Sequence, residues 1–455
     1  MSTLLIAGGR VMDPASGFDR DADVGIQEGR IVAIAPKLPR KGVDRVIDAD
    51  GCYVVPGLID PHVHLREPGN ERAETIATGT AAAVAGGFTT VCCMPNTSPA
   101  IDNDSIVEAV LDRAAKTAQC RAYPIGAITK GRAGAELAEV QLMARAGVVG
   151  FSDDGDCVES AGMMSRALTT IRITGLALMQ HCQDATLTRG GVMHAGDIAV
   201  RLGLGGWPRV AEEVIIERDV RLNRHIACPY HAQHLSSSGS VNIIRRARKD
   251  GLPVTAEVTP HHLILTHDAI LENGGYDTNA KMNPPLREQS DINALKDGIA
   301  DGTITILGTD HAPHPMGDKE LEFDAAAFGI VGLETALALY IESLVAPGVI
   351  DWMRLIEMMT IAPARLCRLD GLGLGRLAVD GPADVTVIDP GQSWTITRDA
   401  LAGRSRNTPF LGRKVKGRAS AVVVAGAVRM DRRRSEVPVS QPQLKLRVGP
   451  VTSVR

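Results

Sequence analysis

The hydrophobic and polar positions of the chain form a repeat, in which a short apolar run is followed by polar residues and then by a helical segment. Eight such units can be recognised: Tyr53–His64, Phe88–Asn96, Ala122–Thr129, Val148–Asp154, Leu176–Asp184, Ile226–Ser237, Val254–His262 and Ile304–His314. Strands that alternate with helices in this number predict an α/β protein with a (β/α)8 TIM-type barrel. In that fold the active site lies at the carboxyl ends of the strands, where the polar residues of these units occur.

The two ends of the chain have a different pattern, with short β-branched or alternating runs. Near the start these runs are Leu4–Ala7, Asp23–Ile26 and Ile31–Ile34, and near the end they are Asp384–Ile388 and Ala421–Ala425. Turn residues such as glycine separate them, as is typical of short strands. We predict that the two ends pair into one small β-domain.

The predicted domain limits follow this change of pattern. Residues 1–56 would form the first part of the β-domain, residues 57–365 the barrel, and residues 366–455 the second part of the β-domain with a tail. The tail after Arg432 is polar, contains prolines and shows no periodicity, so we predict no structure for it.

A stretch without charged residues, from Thr75 to Ile101, is long enough to suggest a membrane helix. It is interrupted by glycines and a proline, however. An alanine-rich helix ending at Gly86-Gly87 and a β-rich run from Phe88 to Met94 explain it better. We therefore expect no membrane-spanning segment.

The composition agrees with a large globular enzyme. The 455 residues are 44% hydrophobic and 22% charged, which suits one large domain and a smaller one. The net charge of -4 and an aromatic content of 3% argue against nucleic-acid binding. None of the eight cysteines forms a CxxC pair, and no secretory leader is recognisable, so we expect reduced thiols and a cytoplasmic location.

The first cluster with chemical potential is Asp60–Gly69. Alternate residues of a strand face the same side, so His62 and His64 would both point into the barrel mouth as metal ligands. An isolated His-x-His is more often a pair of ordinary histidines. The flanking Gly57 and Arg66 make this occurrence more specific.

Two further clusters leave alternatives open. Asp153 and Asp154 are adjacent, so only one of them can face inward from a strand and bridge two metal ions, and spacing alone does not choose between them. His231 and His234 are three residues apart and would lie on opposite faces of a strand, so only one should bind metal.

His181 and Asp310 also follow apolar runs at predicted strand ends. His181 by itself would be an ordinary rim histidine, whereas Asp310 could be both a metal ligand and a general base. Histidines together with carboxylates suit zinc, and two-metal sites are a standard arrangement for hydrolysis. The joint pattern therefore predicts a metal-dependent hydrolase.

These motifs resemble those of the amidohydrolase superfamily, a barrel with a small β-sandwich formed by both chain ends, and within it the class I dihydroorotases. The similar segments extend from about Val54 to Gly417. They are Asp60–Gly69, Met94–Thr97, Ser152–Gly155, His181–Asp184, His234–Ser237, Thr259–His262, Lys281–Arg287, Gly308–His314, Phe328–Thr335 and Asn407–Phe410.

The resemblance implies a reversible cyclisation of N-carbamoyl-L-aspartate to L-dihydroorotate, a step of pyrimidine biosynthesis. It implies two zinc ions per subunit, bridged by a hydroxide and held by six side chains: His62, His64 and Asp310 on one ion, His181 and His234 on the other, and Asp154 on both. Asp310 would also be the general acid/base.

The resemblance also implies a set of substrate contacts. The substrate carboxylate would be clamped by Arg66, Asn96 and His314, and the ring amides would be contacted by Asn283, Phe328 and Gly329. The acidic loop His311–Phe328 would close over the substrate as a lid. Glu257, His261 and His262, on a predicted strand, would have supporting roles.

Two alternatives belong to the same superfamily. Hydantoinases, dihydropyrimidinases and allantoinases typically bridge their metals with a carboxylated lysine, where this sequence has Asp153-Asp154. A non-catalytic homologue, either a scaffold that partners aspartate transcarbamoylase or a cytoskeletal regulator, would be of a different functional class and would lack several metal ligands, which are present here. The resemblance further implies a homodimer and the capacity for a complex with aspartate transcarbamoylase.

Overall fold

The computed structural model describes residues 3–433, in which most of the predicted apolar runs form strands. The strands are β1 (Thr3–Asp13), β2 (Phe18–Gln27), β3 (Arg30–Ala35), β4 (Arg45–Asp48), β5 (Tyr53–Pro56), β6 (Leu58–Val63), β7 (Phe88–Cys93), β8 (Arg121–Pro124), β9 (Leu178–Gln180), β10 (Met193–His194), β11 (Gly206–Trp207), β12 (Tyr230–Ala232), β13 (Val254–Val258), β14 (Ile306–Leu307), β15 (Val385–Thr395), β16 (Lys414–Val424) and β17 (Ala427–Asp431). The predicted tail after Arg432 lies, beyond residue 433, outside the described residues.

Helices alternate with the strands of the central part. They are α1 (Ile76–Gly86), α2 (Asp104–Thr117), α3 (Val140–Ala146), α4 (Ala161–Arg172), α5 (Ala185–Thr188), α6 (Asp197–Leu202), α7 (Val210–Asn223), α8 (Ser238–Lys249), α9 (Pro260–Ile264), α10 (Gln289–Ala300), α11 (Met316–Lys319), α12 (Ala336–Tyr340), α13 (Trp352–Met359) and α14 (Ile361–Leu366). Their apolar faces cover the outside of the strands and form the largest hydrophobic core.

Eight parallel segments close into a ring. β6, β7 and β8 are neighbours, and β9, β12, β13 and β14 follow one another. The remaining segment is centred on Phe151, which bridges Gly126 on one side and Leu178 on the other, and Val149, Gly150 and Ser152 add backbone hydrogen bonds to the β8 side. A parallel bridge between Val63 and His311 closes the ring. The predicted (β/α)8 barrel is confirmed, with strands that are shorter than the predicted runs.

The two chain ends meet in one sheet. Its order is β17-β16-β15-β5-β1-β2-β3, with β4 beside β1. The antiparallel pairing of β5 with β15 joins the beginning of the chain to its end. Buried aliphatic side chains of both ends form a separate core here, including Ile6, Val24, Val54 and Val385. The predicted β-sandwich from both ends is confirmed, and the limits 1–56, 57–365 and 366–455 remain our proposal for the domains.

The uncharged stretch splits as expected into α1 and β7. Thr75 and Thr78 form a capping box at the start of α1, and Gly87, with φ of 103°, ends it in the left-handed conformation that glycine favours. All six residues of β7 are buried in the barrel. Within residues 3–433, no helix combines the length and the apolarity needed to cross a membrane.

One local prediction was wrong. His261 and His262 lie on the short helix α9, and the preceding strand β13 already ends at Val258. Pro260 occupies the first turn of α9, where its fixed φ and missing N–H suit a helix start. The eight cysteines are free thiols, as expected.

Candidate active site

The barrel brings the ends of β6, β12 and β14 together with the Asp154 segment. The resulting cluster is almost completely buried: His62 is 0% exposed, and Asp154, His181, His234 and Asp310 are each at most 4% exposed. Buried ionisable groups are costly unless they are paired or bind a cation. The arrangement therefore needs a specific electrostatic explanation.

One part of the cluster contains His62, His64 and Asp310. The Nε2 atom of His64 lies 2.9 Å from the Asp310 Oδ1 atom, and the Nε2 atom of His62 lies 3.5 Å from it. The three groups offer ligand atoms that all lie within 4.8 Å of one another. They could hold one divalent ion.

A second part surrounds Asp154. Its Oδ1 atom lies 3.3 Å from His62 Nε2, 3.4 Å from His181 Nδ1 and 3.4 Å from His234 Nε2. Its Oδ2 atom lies 3.5 Å from His64 Nε2. The carboxylate therefore faces both halves of the cluster, as a bridging ligand would.

Asp153 faces away from the cluster. Its Oδ1 atom accepts hydrogen bonds from the backbone N–H groups of Ile128 and Thr129, at 2.8 and 3.0 Å, and its other oxygen accepts one from the Thr129 hydroxyl. Asp153 thus ties the loop after β8 to the Phe151 segment. Of the two adjacent carboxylates, Asp154 therefore faces the cluster, whereas Asp153 binds the loop after β8.

The nitrogens of this cluster fit a bound cation. His62 Nε2 is buried and makes no hydrogen bond to any residue in the range 3–433. His181 Nδ1 lies only 2.8 Å from His234 Nε2, so the two imidazoles must share either a proton or a cation. Burial disfavours the charged form of His62, but Glu257, Asp154 and Asp310 outweigh it and raise its pKa well above the usual value. The cluster therefore carries an excess of negative charge that a metal ion would neutralise.

Neighbouring groups fix the imidazole orientations. Glu257 Oε1 accepts from His62 Nδ1, Asn96 Oδ1 accepts from His64 Nδ1 at 2.9 Å, and Gln183 Oε1 accepts from His181 Nε2 at 2.9 Å. Each contact leaves the other ring nitrogen directed at the cluster, which is the usual way in which proteins orient metal-binding histidines.

Glu257→Gln should lower the affinity for a divalent ion by roughly 10- to 100-fold. Glu257 is 0% exposed, and its second oxygen lies 3.2 Å from His231 Nε2, so an amide could not serve both histidines equally well. Metal titration followed by calorimetry measures the effect. Asp268→Asn, an exposed carboxylate that binds Thr266, serves as the control, and equal affinities for both variants would contradict the proposed role.

The backbone is strained at three residues of this region. Arg66, His234 and Asp310 have φ values of 59°, 32° and 46°, in the left-handed region that side chains usually avoid. Such conformations persist only where the surrounding structure imposes them, and they concentrate at functional sites. The strain turns these side chains towards the cluster after their strands have ended.

Arg66 and His314 lie side by side at the edge of the cluster. The Nη2 atom of Arg66 is 3.4 Å from His314 Nε2, and its Nε donates to the carbonyl of Pro313 at 3.3 Å. Burial, the charge of Arg66 and that of Lys319 lower the pKa of His314 to about 3, so this imidazole is neutral. Burial also lowers the pKa of Arg66 to about 10, which leaves it charged at neutral pH.

Asn283 lies on the other side of the opening. Its Nδ2 donates to Gln183 Oε1 at 3.2 Å, while its Oδ1 is buried without a hydrogen-bond partner among residues 3–433. A ligand N–H could satisfy this acceptor. Gln183 therefore connects the ring of His181 with the amide of Asn283.

Phe328 and Gly329 adjoin His314 but are already engaged. The N–H of Gly329 donates to the carbonyl of Lys281 at 3.0 Å, and the Lys281 ammonium lies 4.4 Å from the centre of the Phe328 ring. The Gly329 carbonyl accepts from Asn407 Nδ2 at 3.0 Å. A substrate contact of this segment would have to use groups other than the Gly329 N–H.

Gly329→Ala should lower kcat/KM by roughly 100-fold, because misplacement of a binding group by about 1 Å has effects of this size. Its φ is 146°, and an added Cβ would lie 2.7 Å from the carbonyl oxygen of Ala312 and 2.9 Å from His314 Cδ2. Gly317→Ala, in the same loop but with open space around it, is the matched control. Steady-state kinetics of both variants measure kcat/KM. A wild-type kcat/KM for Gly329→Ala would contradict both the steric argument and the lid hypothesis for residues 311–328.

Several contacts were missed by sequence reasoning. Asn407 donates to the carbonyls of Ala312 and Gly329 and accepts from the N–H of His314, so it holds the loop that carries His314. Gln183 accepts hydrogen bonds from two predicted site residues, His181 and Asn283. Both belong to segments used for the family resemblance, but nothing in their local sequence indicated these partners. His231, the alternative to His234, binds Thr255 and Glu257 outside the cluster.

Comparison with known proteins identifies related sequences and folds. A family model described as Dihydro-orotase-like matches residues 51–240. A dihydroorotase of Trichlorobacter lovleyi is 47% identical over 93% of this chain and 98% of its own length. A dihydroorotase of Pelotomaculum thermopropionicum is 48% identical over 94% of this chain and 99% of its own.

Solved structures with a similar fold include an L-hydantoinase (dihydropyrimidinase) from Arthrobacter aurescens. It superposes with a TM-score of 0.85 at 25% identity and covers 97% of this chain and 98% of its own. A dihydropyrimidinase from Brevibacillus agri has a TM-score of 0.83 at 23% identity, covering 95% and 96%, and shows the shared fold alone.

Proposed function

The chain belongs to the dihydroorotase family, and we propose that its buried cluster of histidines and aspartates is the site at which N-carbamoyl-L-aspartate and L-dihydroorotate are interconverted. The enzyme is a hydrolase of cyclic amides in pyrimidine biosynthesis. Two zinc ions per subunit would be held by His62, His64, Asp154, His181, His234 and Asp310.

The observation that carries this proposal is the position of Arg66. Its guanidinium forms no ion pair with a carboxylate among residues 3–433, and it lies beside a cluster suited to metal ions. A guanidinium matches a carboxylate in geometry and charge. Both proposed substrates carry a carboxylate next to the reacting amide, so Arg66 and the neutral His314 would bind it.

The residues of the chain have separable tasks in the reaction. Divalent ions at such a site supply an activated water and polarise a carbonyl group. In hydrolysis Asp310 would accept the proton at its carboxylate and deliver it to the nitrogen that leaves the ring carbonyl; in cyclisation it would take that proton back. The free Asn283 Oδ1 would accept a ring N–H. The amide of Asn96, whose oxygen is used by His64, would offer its Nδ2 to the substrate carboxylate.

Hydantoinases share the fold but bridge their metals differently, as the family resemblance implies. Here Asp154 lies between His62, His181 and His234, where those enzymes would have a carboxylated lysine. The unpaired Arg66 favours a substrate with a free carboxylate.

A direct assay of the purified protein with zinc tests the proposal. We expect loss of L-dihydroorotate, and its formation from N-carbamoyl-L-aspartate, while hydantoin and allantoin remain unchanged. Turnover of hydantoin or allantoin instead would overturn the proposed substrate. Two zinc ions per subunit without turnover of any substrate would favour a non-catalytic homologue.

The family resemblance also supports a cytoplasmic homodimer that can associate with aspartate transcarbamoylase. Analytical ultracentrifugation of the protein alone and with the transcarbamoylase measures both associations. A monomer at micromolar concentration would contradict the proposed homodimer.

A further inference from the structure

A cavity of about 370 Å³ opens next to His314, and its lining is rich in cations. Four arginines contribute to it, together with Lys319, whose pKa burial lowers to about 7, against a single acidic residue, Glu320. The cationic residues are Arg72, Lys319, Arg398, Arg404 and Arg406. An opening lined by charges of one sign raises the local concentration of ligands of the opposite sign.

The arginines of this cavity are not neutralised by the protein. None of the four forms an ion pair with a carboxylate in the part of the chain from residue 3 to residue 433. Arg404 and Arg406 donate to the backbone carbonyls of Glu71 and Gly403, and Arg398 contacts the Met316 sulfur at 3.5 Å. Arg209, by contrast, binds two carboxylates elsewhere in the fold. The cavity therefore keeps its positive charge.

The cavity adjoins the proposed substrate site at His314. This imidazole lines the cavity and also lies 3.4 Å from Arg66 Nη2. An anion held in the cavity is thus one side chain away from the guanidinium proposed to bind the substrate carboxylate.

We infer that this arginine-lined cavity is an approach site for the open-chain dicarboxylate substrate, an inference that rests on the proposed function. N-carbamoyl-L-aspartate carries two carboxylates, whereas ring closure consumes one of them and leaves L-dihydroorotate with a single negative charge. The cavity therefore favours capture of the substrate of the cyclisation over that of the hydrolysis. It adds a charge-selective site to the contacts at the metal cluster.

The double variant Arg72→Gln/Arg398→Gln tests the inference, because both side chains are exposed and neither is paired with a carboxylate. At low ionic strength, KM for N-carbamoyl-L-aspartate should rise by about 10-fold, while kcat changes by less than about twofold. KM for L-dihydroorotate should rise by no more than about threefold, and kcat for L-dihydroorotate should fall by the remaining factor, because the equilibrium constant of the reaction requires kcat/KM to fall equally in both directions. Because the Debye length is about 8 Å at physiological ionic strength, added salt should reduce the difference from wild type.

A matched control removes two positive charges from the opposite end of the barrel. Arg172 and Arg365 are exposed, and Arg365 lines a separate cavity near the start of β13. Arg172→Gln/Arg365→Gln should retain wild-type KM for both substrates. Arg72→Lys/Arg398→Lys should restore most of the lost affinity, because it restores the charge.

The inference is overturned if the Arg72/Arg398 variant keeps the wild-type KM and salt dependence, or if the control variant loses affinity equally. It is also overturned if KM rises by the same factor for both substrates. Failure of the proposed function would be distinct, since the wild-type protein would then turn over neither substrate.

Discussion

Asp310→Asn should lower kcat by roughly 1,000- to 10,000-fold in both directions, because general acid–base catalysis alone contributes about 100- to 10,000-fold. The Asp310 Oδ1 atom lies 2.9 Å from His64 Nε2, and the residue is 4% exposed. An amide of the same shape can neither accept the proton in the reaction nor provide a charged ligand. Steady-state rates with L-dihydroorotate and N-carbamoyl-L-aspartate measure the effect.

Asp318→Asn is the control for this variant. Asp318 belongs to the first turn of α11 in the loop that follows Asp310, and it makes no ion pair with another residue of the range 3–433. It should retain wild-type kcat. Near-normal turnover by Asp310→Asn, with a folded protein and unchanged metal content, would exclude Asp310 as the general acid/base.

Asp154→Asn should reduce bound zinc and lower kcat by roughly 100-fold or more, since even residues behind the ligands typically change metal affinity or activity by about 10- to 100-fold. Asp154 touches His62, His64, His181 and His234, and despite burial the first and the last two of these hold its pKa well below the usual value. Its charge is therefore needed at the centre of the cluster. Elemental analysis and kinetics of the same preparation measure both effects.

The adjacent Asp153→Asn is a matched comparison with the opposite expectation. Asp153 binds only Ile128 and Thr129, so its loss should cost about 1–3 kcal/mol of unfolding free energy. Zinc content and kcat of the folded protein should stay close to wild type. If instead Asp153→Asn loses zinc and Asp154→Asn does not, the assignment of the bridging ligand is reversed.

Much of the fold could be predicted from the sequence because its signals are local. Apolar runs that end in polar residues gave the barrel strands, and β-branched runs at both ends gave the terminal sheet. The exact strand lengths could not be predicted, since the run Val148–Asp154 pairs with its neighbours through Phe151 bridges and single backbone hydrogen bonds rather than as a regular strand. The position of His261 and His262 was missed because Pro260 starts a helix immediately after β13.

The sequence by itself determined the type of fold, the kinds of side chain at the strand ends and the likeness to a family of cyclic-amide hydrolases. These depend on periodicity and on short motifs, which are properties of neighbouring residues.

Only the tertiary structure decided which of two neighbouring groups faces the cluster, as with Asp153 and Asp154. Side-chain alternation holds within a regular strand, but the backbone leaves the β region at His234 and Asp310, so spacing no longer fixes direction. The contacts of Gln183 with Asn283 and of Asn407 with Gly329 join residues that are 100 and 78 positions apart. They exist because closure of the barrel brings distant loops to one end, which no local pattern encodes.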